Sequence, residues 1–273
     1  MIQAFPYYKP GLGGSWMLVL LMAASSLIVG GVSEFLPQLS HSAGYFLMMV
    51  PPFAWCWWQG RMNCLAGHAP LKINAPHFGK MHPVLFFILA GIVLLAISVV
   101  IEPTTTWIPM PDWIKTLFED VFVNSPLWDM ILATCILAPL LEEFLCRGMM
   151  LRGMLRSKGP VKAICWSAFL FAFMHLNPWQ SIPAFLIGLY LGWIYWRTHC
   201  LWATIFLHCL NNSISTVISR VCPDLPIDAG WKDIMPTEAY WFFYVSCVIV
   251  AVSFIYILYE KTLSAQVQTD LEA

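Results

Sequence analysis

Three short stretches of the sequence carry residue types that do chemistry. LAPLLEEFLCRGMML, Leu137 to Leu151, sets Glu142, Glu143 and Arg147 into an otherwise apolar run. FLFAFMH ends on His175, four residues after Phe171, and LHCLNN places His208 four residues before Asn212. Carboxylates and imidazoles take and return protons, and a side-chain amide donates hydrogen bonds to a developing negative oxygen. The work open to such a set is acid–base chemistry. On a helix Glu143 and Arg147 share a face and neutralise one another as an i,i+4 pair. Glu142 is turned about 100° from Glu143 by the helical repeat, so it is the carboxylate left available.

The elements that position these groups must themselves be very apolar. Hydrophobic residues make up 59% of the 273-residue chain and charged residues 11%, with mean hydropathy +0.71. That profile excludes an ordinary soluble domain and predicts an all-α, polytopic transmembrane helix bundle. With about 20 residues per crossing as the measure, eight segments qualify, near 15–36, 43–59, 83–101, 127–150, 161–176, 180–197, 200–219 and 240–259. Pro51 and Pro52 predict a kink in the second, and Pro139 is expected to bend or open the fourth just before the glutamates. No internal repeat or low-complexity linker divides the chain, so the expectation is one membrane domain over 1–273, with the chemistry inside 125–220. The first apolar run, Trp16 to Leu36, lacks a small-residue cleavage pattern and is expected to remain as a span.

Lys and Arg set the orientation, because cytoplasmic segments collect them. With the N-terminus inside, inner segments hold Lys9; Arg61, Lys72 and Lys80; Arg152, Arg156, Lys158 and Lys162; Arg197; and Lys261. Outer segments hold Lys115, Arg220 and Lys232 among a larger number of acids, which predicts an N-in, C-in chain. The aromatic run WCWW, Trp55 to Trp58, fits an inner interfacial anchor, and PDWIKTLFEDVF has the spacing of an amphipathic helix lying on the outer surface. Net charge of -1 averages over this asymmetry and points to no nucleic-acid partner; the expected partners are membrane lipids and a peptide or membrane-protein substrate. Nine scattered cysteines with no CxxC pair are expected to be reduced packing residues.

In this frame the polar groups share a level. Counting about 1.5 Å per residue from the inner ends, Glu142 and His175 lie roughly 20 Å up, and His208 to Asn212 roughly 13–19 Å. A charge at mid-bilayer costs about 2.5–3.5 kcal/mol on insertion scales, so three in six residues need a reason. Each group alone has a structural explanation: an ion pair between helices, a histidine or asparagine as interhelical glue, Phe171 as packing. Their joint occurrence at one depth favours a convergent polar site.

These residues carry a resemblance. EEFLCR matches EExxxR, Phe171 to His175 matches FxxxH, and His208 to Asn212 matches HxxxN, in the order and rough spacing of the CPBP family of intramembrane proteases, which includes the type II CAAX prenyl endopeptidases and bacterial bacteriocin-processing and self-immunity proteins. The resemblance covers about residues 125–220. It implies an intramembrane endopeptidase in which Glu142 is general base, His175 helps to orient or share the proton of the water, His208 and Asn212 form the oxyanion hole, and Glu143, Arg147 and Phe171 support them.

Members of this family are often called metalloproteases, and Glu142, His175 and His208 are a donor set for Zn²⁺ with an open fourth position. The sequence has no HExxH, and a metal-free glutamate mechanism is the expectation. Two other classes compete with a protease: a non-catalytic immunity or scaffold protein on the same fold, and a secondary transporter, against which the lack of paired repeats counts.

Overall fold

A computed structural model describes residues 2–36, 38–222 and 224–262. Its long helices are α1 (Leu12–Phe35), α2 (His41–Leu65), α3 (Pro83–Ile101), α4 (Asp112–Asn124), α5 (Leu127–Leu155), α6 (Pro160–Phe173), α7 (Pro178–Thr198), α8 (Leu201–Val221) and α9 (Thr237–Thr262). A short 3-10 helix, Ile2–Tyr7, precedes α1, and the described residues include no strand. The fold is all-α. Start signals in the sequence account for several boundaries: Ser40 Oγ accepts the Ala43 amide at the head of α2, Asn177 Oδ1 accepts the Gln180 amide at the head of α7, and Pro83, Pro160 and Pro178 occupy first turns, where a missing N–H costs nothing.

Each of the eight segments expected to span falls on one of these helices, but only part of the set meets a spanning criterion by length and apolarity. The helix Pro83–Thr106, which extends α3, qualifies together with α1, α8 and α9; α4 with α5 makes a fifth if that pair, bent by 108°, counts as one crossing. The 14 residues of α6 would reach roughly 21 Å, short of a hydrocarbon core about 30 Å thick. It stops early because Asn177-Pro178 starts the next helix and forces a turn, with Leu176 at φ 56°. The bend between α4 and α5 takes the amphipathic segment out of line with the helix that follows, and within Asp112–Glu119 it is Ile114 that is buried. No break accompanies Pro51 and Pro52, and α2 runs through both.

At the centre lies α5. Its C-terminal part, Leu145 to Met154, is buried on every side, Arg147 and Arg152 included. Wide i→i+5 turns over Ile131–Leu137 and Phe144–Leu151 flank a regular stretch, Ala138–Glu143, that holds Pro139 and both glutamates. Such turns often mark functional positions in helices. Pro139 therefore opens the helix around the acids without breaking it. One core joins α5 to α1, α2, α6 and α7, while a second, around Phe86, Leu94, Leu191, Ile194, Leu207 and Leu258, joins α3, α7, α8 and α9. Small residues let α7 and α6 approach closely: a Cβ on Gly188 would lie 3.2 Å from Ala168, and one on Gly192 would lie 3.1 Å from Ile164.

Arginines at helix ends serve this packing. Arg152, expected in a basic loop, falls inside α5 and is 3% exposed. It donates to the carbonyls of Tyr8 at 2.6 Å, Phe5 at 3.3 Å and Leu71, clamping the N-terminal segment to the central helix. Arg197 donates to Tyr259 O and to Thr262 Oγ1 at the end of α9, and Arg220 to Val123 O at 2.7 Å in the last turn of α4. Carbonyls left open at helix ends accept such donors. Lys9 stays at the surface beside this clamp, where burial first, and then the charges of Arg156 and Arg152, hold its ammonium below the ordinary lysine range. All nine cysteines are unbridged; Cys56, Cys135, Cys146 and Cys200 are buried as packing residues, whereas Cys64, Cys165 and Cys222 are exposed and do not pack.

Candidate active site

Glu142 and Glu143 leave α5 on different faces, and their surroundings differ accordingly. Glu143 is fully buried. Its Oε1 accepts Arg147 Nη1 at 2.6 Å and lies 3.0 Å from His208 Nδ1. Arg147, also fully buried, donates from Nη2 to Gly188 O at 3.1 Å and lays its guanidinium 4.7 Å above the Phe171 ring. The pair read from the i,i+4 spacing thus reaches α6, α7 and α8 at once. Buried charges persist when paired and further hydrogen-bonded in this way.

Glu142, by contrast, keeps 12% of its side chain exposed. Its Oε1 accepts the hydroxyl of Tyr45, on α2, at 2.7 Å. Its Oε2 stands 3.9 Å from His208 Nε2, outside direct hydrogen-bond range. A carboxylate accepts only, so the Glu143 contact assigns the proton of His208 to Nδ1, and in the neutral ring Nε2 is then the acceptor facing Glu142. One imidazole therefore bridges the closed carboxylate and the open one.

His175 lies two residues beyond the end of α6, in the turn leading to α7, and not well inside a span as the sequence suggested. Its Nδ1 is 3.0 Å from Phe171 O, and since a carbonyl only accepts, that nitrogen carries the proton. The Phe171 ring meets the two imidazoles edge to face, with centroids 5.2 Å from His175 and 5.6 Å from His208. The residue expected as packing is a wedge between both histidines and the arginine. Asn212 sits one turn beyond His208 on α8; its Nδ2 donates to Thr134 O at 2.8 Å and its Oδ1 accepts Asn211 Nδ2 at 3.3 Å. Asn211 in turn accepts Ser98 Oγ at 3.1 Å, which ties α8 to α3. The second N–H of Asn212 is left for another acceptor.

Glu143, Arg147, Phe171 and His208 are thus brought together by direct contacts, with Glu142 3.9 Å from His208, His175 joined through Phe171 and Asn212 through the α8 backbone. For a resident zinc ion the fit is poor: among the described residues no three His, Cys, Asp or Glu side chains converge closely enough to hold a metal, and Glu142, His175 and His208 do not form such a trio. Sequence reasoning missed Tyr45, Thr134 and Gly188. Two of them act through backbone carbonyls, which leave no trace in residue type; Tyr45 was a phenol in an apolar run, a polar handle whose partner lies far along the chain.

The helices, their apolarity and this enclosed set of acids and imidazoles define an integral membrane protein with a buried ionisable site. Residues 124–214 match the family described as type II CAAX prenyl endopeptidase Rce1-like, about a third of the chain, and the match encloses Glu142, Glu143, Arg147, Phe171, His175, His208 and Asn212. Over those residues the chain is similar to the type II CAAX prenyl endopeptidases, in line with the resemblance carried by the EExxxR, FxxxH and HxxxN motifs. No curated protein and no solved structure matches the chain.

Proposed function

We propose that the protein is a multi-pass, N-in and C-in membrane endopeptidase that hydrolyses a peptide bond close to the membrane, in substrates resembling prenylated CAAX C-termini. The observation carrying this reading is the asymmetry of the two glutamates. Glu143 is spent on Arg147 and His208, whereas Glu142 is partly accessible and has one oxygen 3.9 Å from an imidazole nitrogen. A water between Glu142 Oε2 and His208 Nε2 would be within hydrogen-bond reach of both.

In this mechanism Glu142 takes a proton from the water, whose oxygen attacks the scissile carbonyl carbon. The tetrahedral oxyanion is held by the free amide N–H of Asn212 and by His208, which in its protonated state donates from Nε2 while Nδ1 stays on Glu143. Glu142 then returns its proton to the departing amine as the C–N bond breaks, giving a carboxylic acid and an amine, and the acid's proton passes to the amine. His175, with Nδ1 committed to Phe171 O, offers Nε2 to orient the water. Glu143 and Arg147 fix the ring of His208, and Phe171 keeps both imidazoles apart. No step runs through a metal, because the donors do not converge on one.

The test is cleavage of a farnesylated CAAX peptide by protein reconstituted in liposomes. Glu142→Gln keeps the shape and the contact with Tyr45 while removing the base, and is expected to lower kcat by at least about a hundredfold, within the usual range for general-base removal. Abundance and melting temperature should stay at the wild-type level. A fully active Glu142→Gln variant would refute the reading and favour a non-catalytic role for the same fold.

A further inference from the structure

The Tyr45 phenol on the open glutamate is a contact that the mechanism above leaves without a role. We infer that Tyr45 is a positioning residue that holds Glu142 so that Oε2, and not Oε1, faces the reacting water. The inference rests on the reading of Glu142 as general base and adds to it a helix outside the family-matched segment.

Three observations carry it. First, the hydroxyl of Tyr45 donates to Glu142 Oε1 at 2.7 Å, and among the described residues it is the hydrogen-bond donor that Glu142 has. A glutamate side chain turns about three bonds, so an unpartnered carboxylate in a partly open site would sample several rotamers. A donor on one oxygen fixes the plane of the carboxylate and leaves the other oxygen to the substrate side, where it stands 3.9 Å from His208 Nε2.

Second, α2 does not bring Tyr45 to α5 by a loose contact. Asp129, near the head of α5 and 2% exposed, accepts the backbone amides of His41 at 2.8 Å and Ser42 at 3.0 Å, and the Ser42 hydroxyl as well. The N-terminus of α2 is therefore held by a carboxylate from the same helix that carries Glu142. Tyr45 lies one turn further along α2. The register between phenol and glutamate is set at two points, one charged and buried, the other at the site.

Third, the ring of Tyr45 packs against the apolar core shared by α1, α2, α5, α6 and α7, so its orientation is restrained independently of its hydroxyl. Removing the oxygen alone would leave the ring in place. A support of this kind matters because small misplacements of a catalytic group cost rate steeply while leaving substrate binding intact.

The experiment is Tyr45→Phe, compared with wild type and with Glu142→Gln under steady-state conditions on the same farnesylated peptide. Tyr45→Phe should lower kcat about tenfold or more, with KM within about twofold and a melting temperature within about 2 °C of wild type. An unchanged kcat beside an inactive Glu142→Gln overturns the role of Tyr45 while the reading of Glu142 stands. A raised KM at constant kcat overturns it too, since Tyr45 would then be a substrate contact. A melting temperature lowered by more than about 5 °C assigns the hydroxyl to folding and equally ends the proposal. Activity retained by Glu142→Gln would instead strike at the general base itself, a failure separate from that of Tyr45.

Discussion

Arg147→Met replaces a guanidinium by an uncharged side chain of comparable length in a site with no solvent access. Three contacts go with it: the 2.6 Å ion pair to Glu143, the 3.1 Å hydrogen bond to Gly188 O, and the guanidinium over Phe171 at 4.7 Å. The dominant loss is that Glu143, 0% exposed, becomes a buried carboxylate without its cation. Removing one partner of a buried pair costs about 3–5 kcal/mol. At about 2–4 °C per kcal/mol for a chain of this size, the melting temperature should fall by roughly 6–20 °C. Removing both charges, in Glu143→Leu with Arg147→Met, eliminates the stranded carboxylate, and stability should return to within about 2 kcal/mol of wild type. Activity should not return, because His208 Nδ1 has then lost the acceptor that fixes its ring; loss of such an orienting partner typically costs about 10–100-fold. The assay pairs fluorescence-monitored thermal unfolding in detergent with cleavage of a farnesylated peptide in liposomes. The argument fails if Arg147→Met melts within about 2 °C of wild type, or if the double variant cleaves at the wild-type rate.

Asp129→Ala removes the carboxylate on the head of α2, and should lower stability by about 2 kcal/mol, read as a melting shift of about 4–8 °C. Gly153→Ala drives a Cβ into the carbonyl oxygen of Pro10, so the N-terminal segment must shift; overpacking of that kind costs about 1–3 kcal/mol, and protease sensitivity near Lys9 should rise. Exhaustive chelation should leave peptide cleavage unchanged, since Glu142, His175 and His208 do not converge on a common point; activity abolished by chelator and restored by Zn²⁺ would contradict the metal-free mechanism.

Some of the site was legible because it is local. The pairing of Glu143 with Arg147 follows from four residues on a helix, and the same geometry separates Glu142 from that pair. The common level of Glu142 and His208 was a matter of counting along two helices. His175 was misplaced because a helix was extended through residues whose successors, Asn177 and Pro178, already start the next one. Arg152 was assigned to a loop from its charge, yet α5 runs one turn further and turns that charge inward onto backbone carbonyls. Charge at a helix end reports where carbonyls need donors as well as which side of a membrane is cytoplasmic.

By itself the sequence determined that this is an all-helical membrane protein with one paired and one unpaired glutamate in its interior, since apolarity and helical periodicity act over stretches of a few turns. Only the tertiary structure decided who meets whom. That Glu143 serves His208, that Asn212 leans on Thr134, and that Tyr45 reaches Glu142 are contacts between residues 65, 78 and 97 positions apart. They depend on which helix faces lie against each other, which is settled by small residues such as Gly188 that let helices approach and by wide turns that rotate α5. Neither effect has a local signature strong enough to be read before the helices are packed.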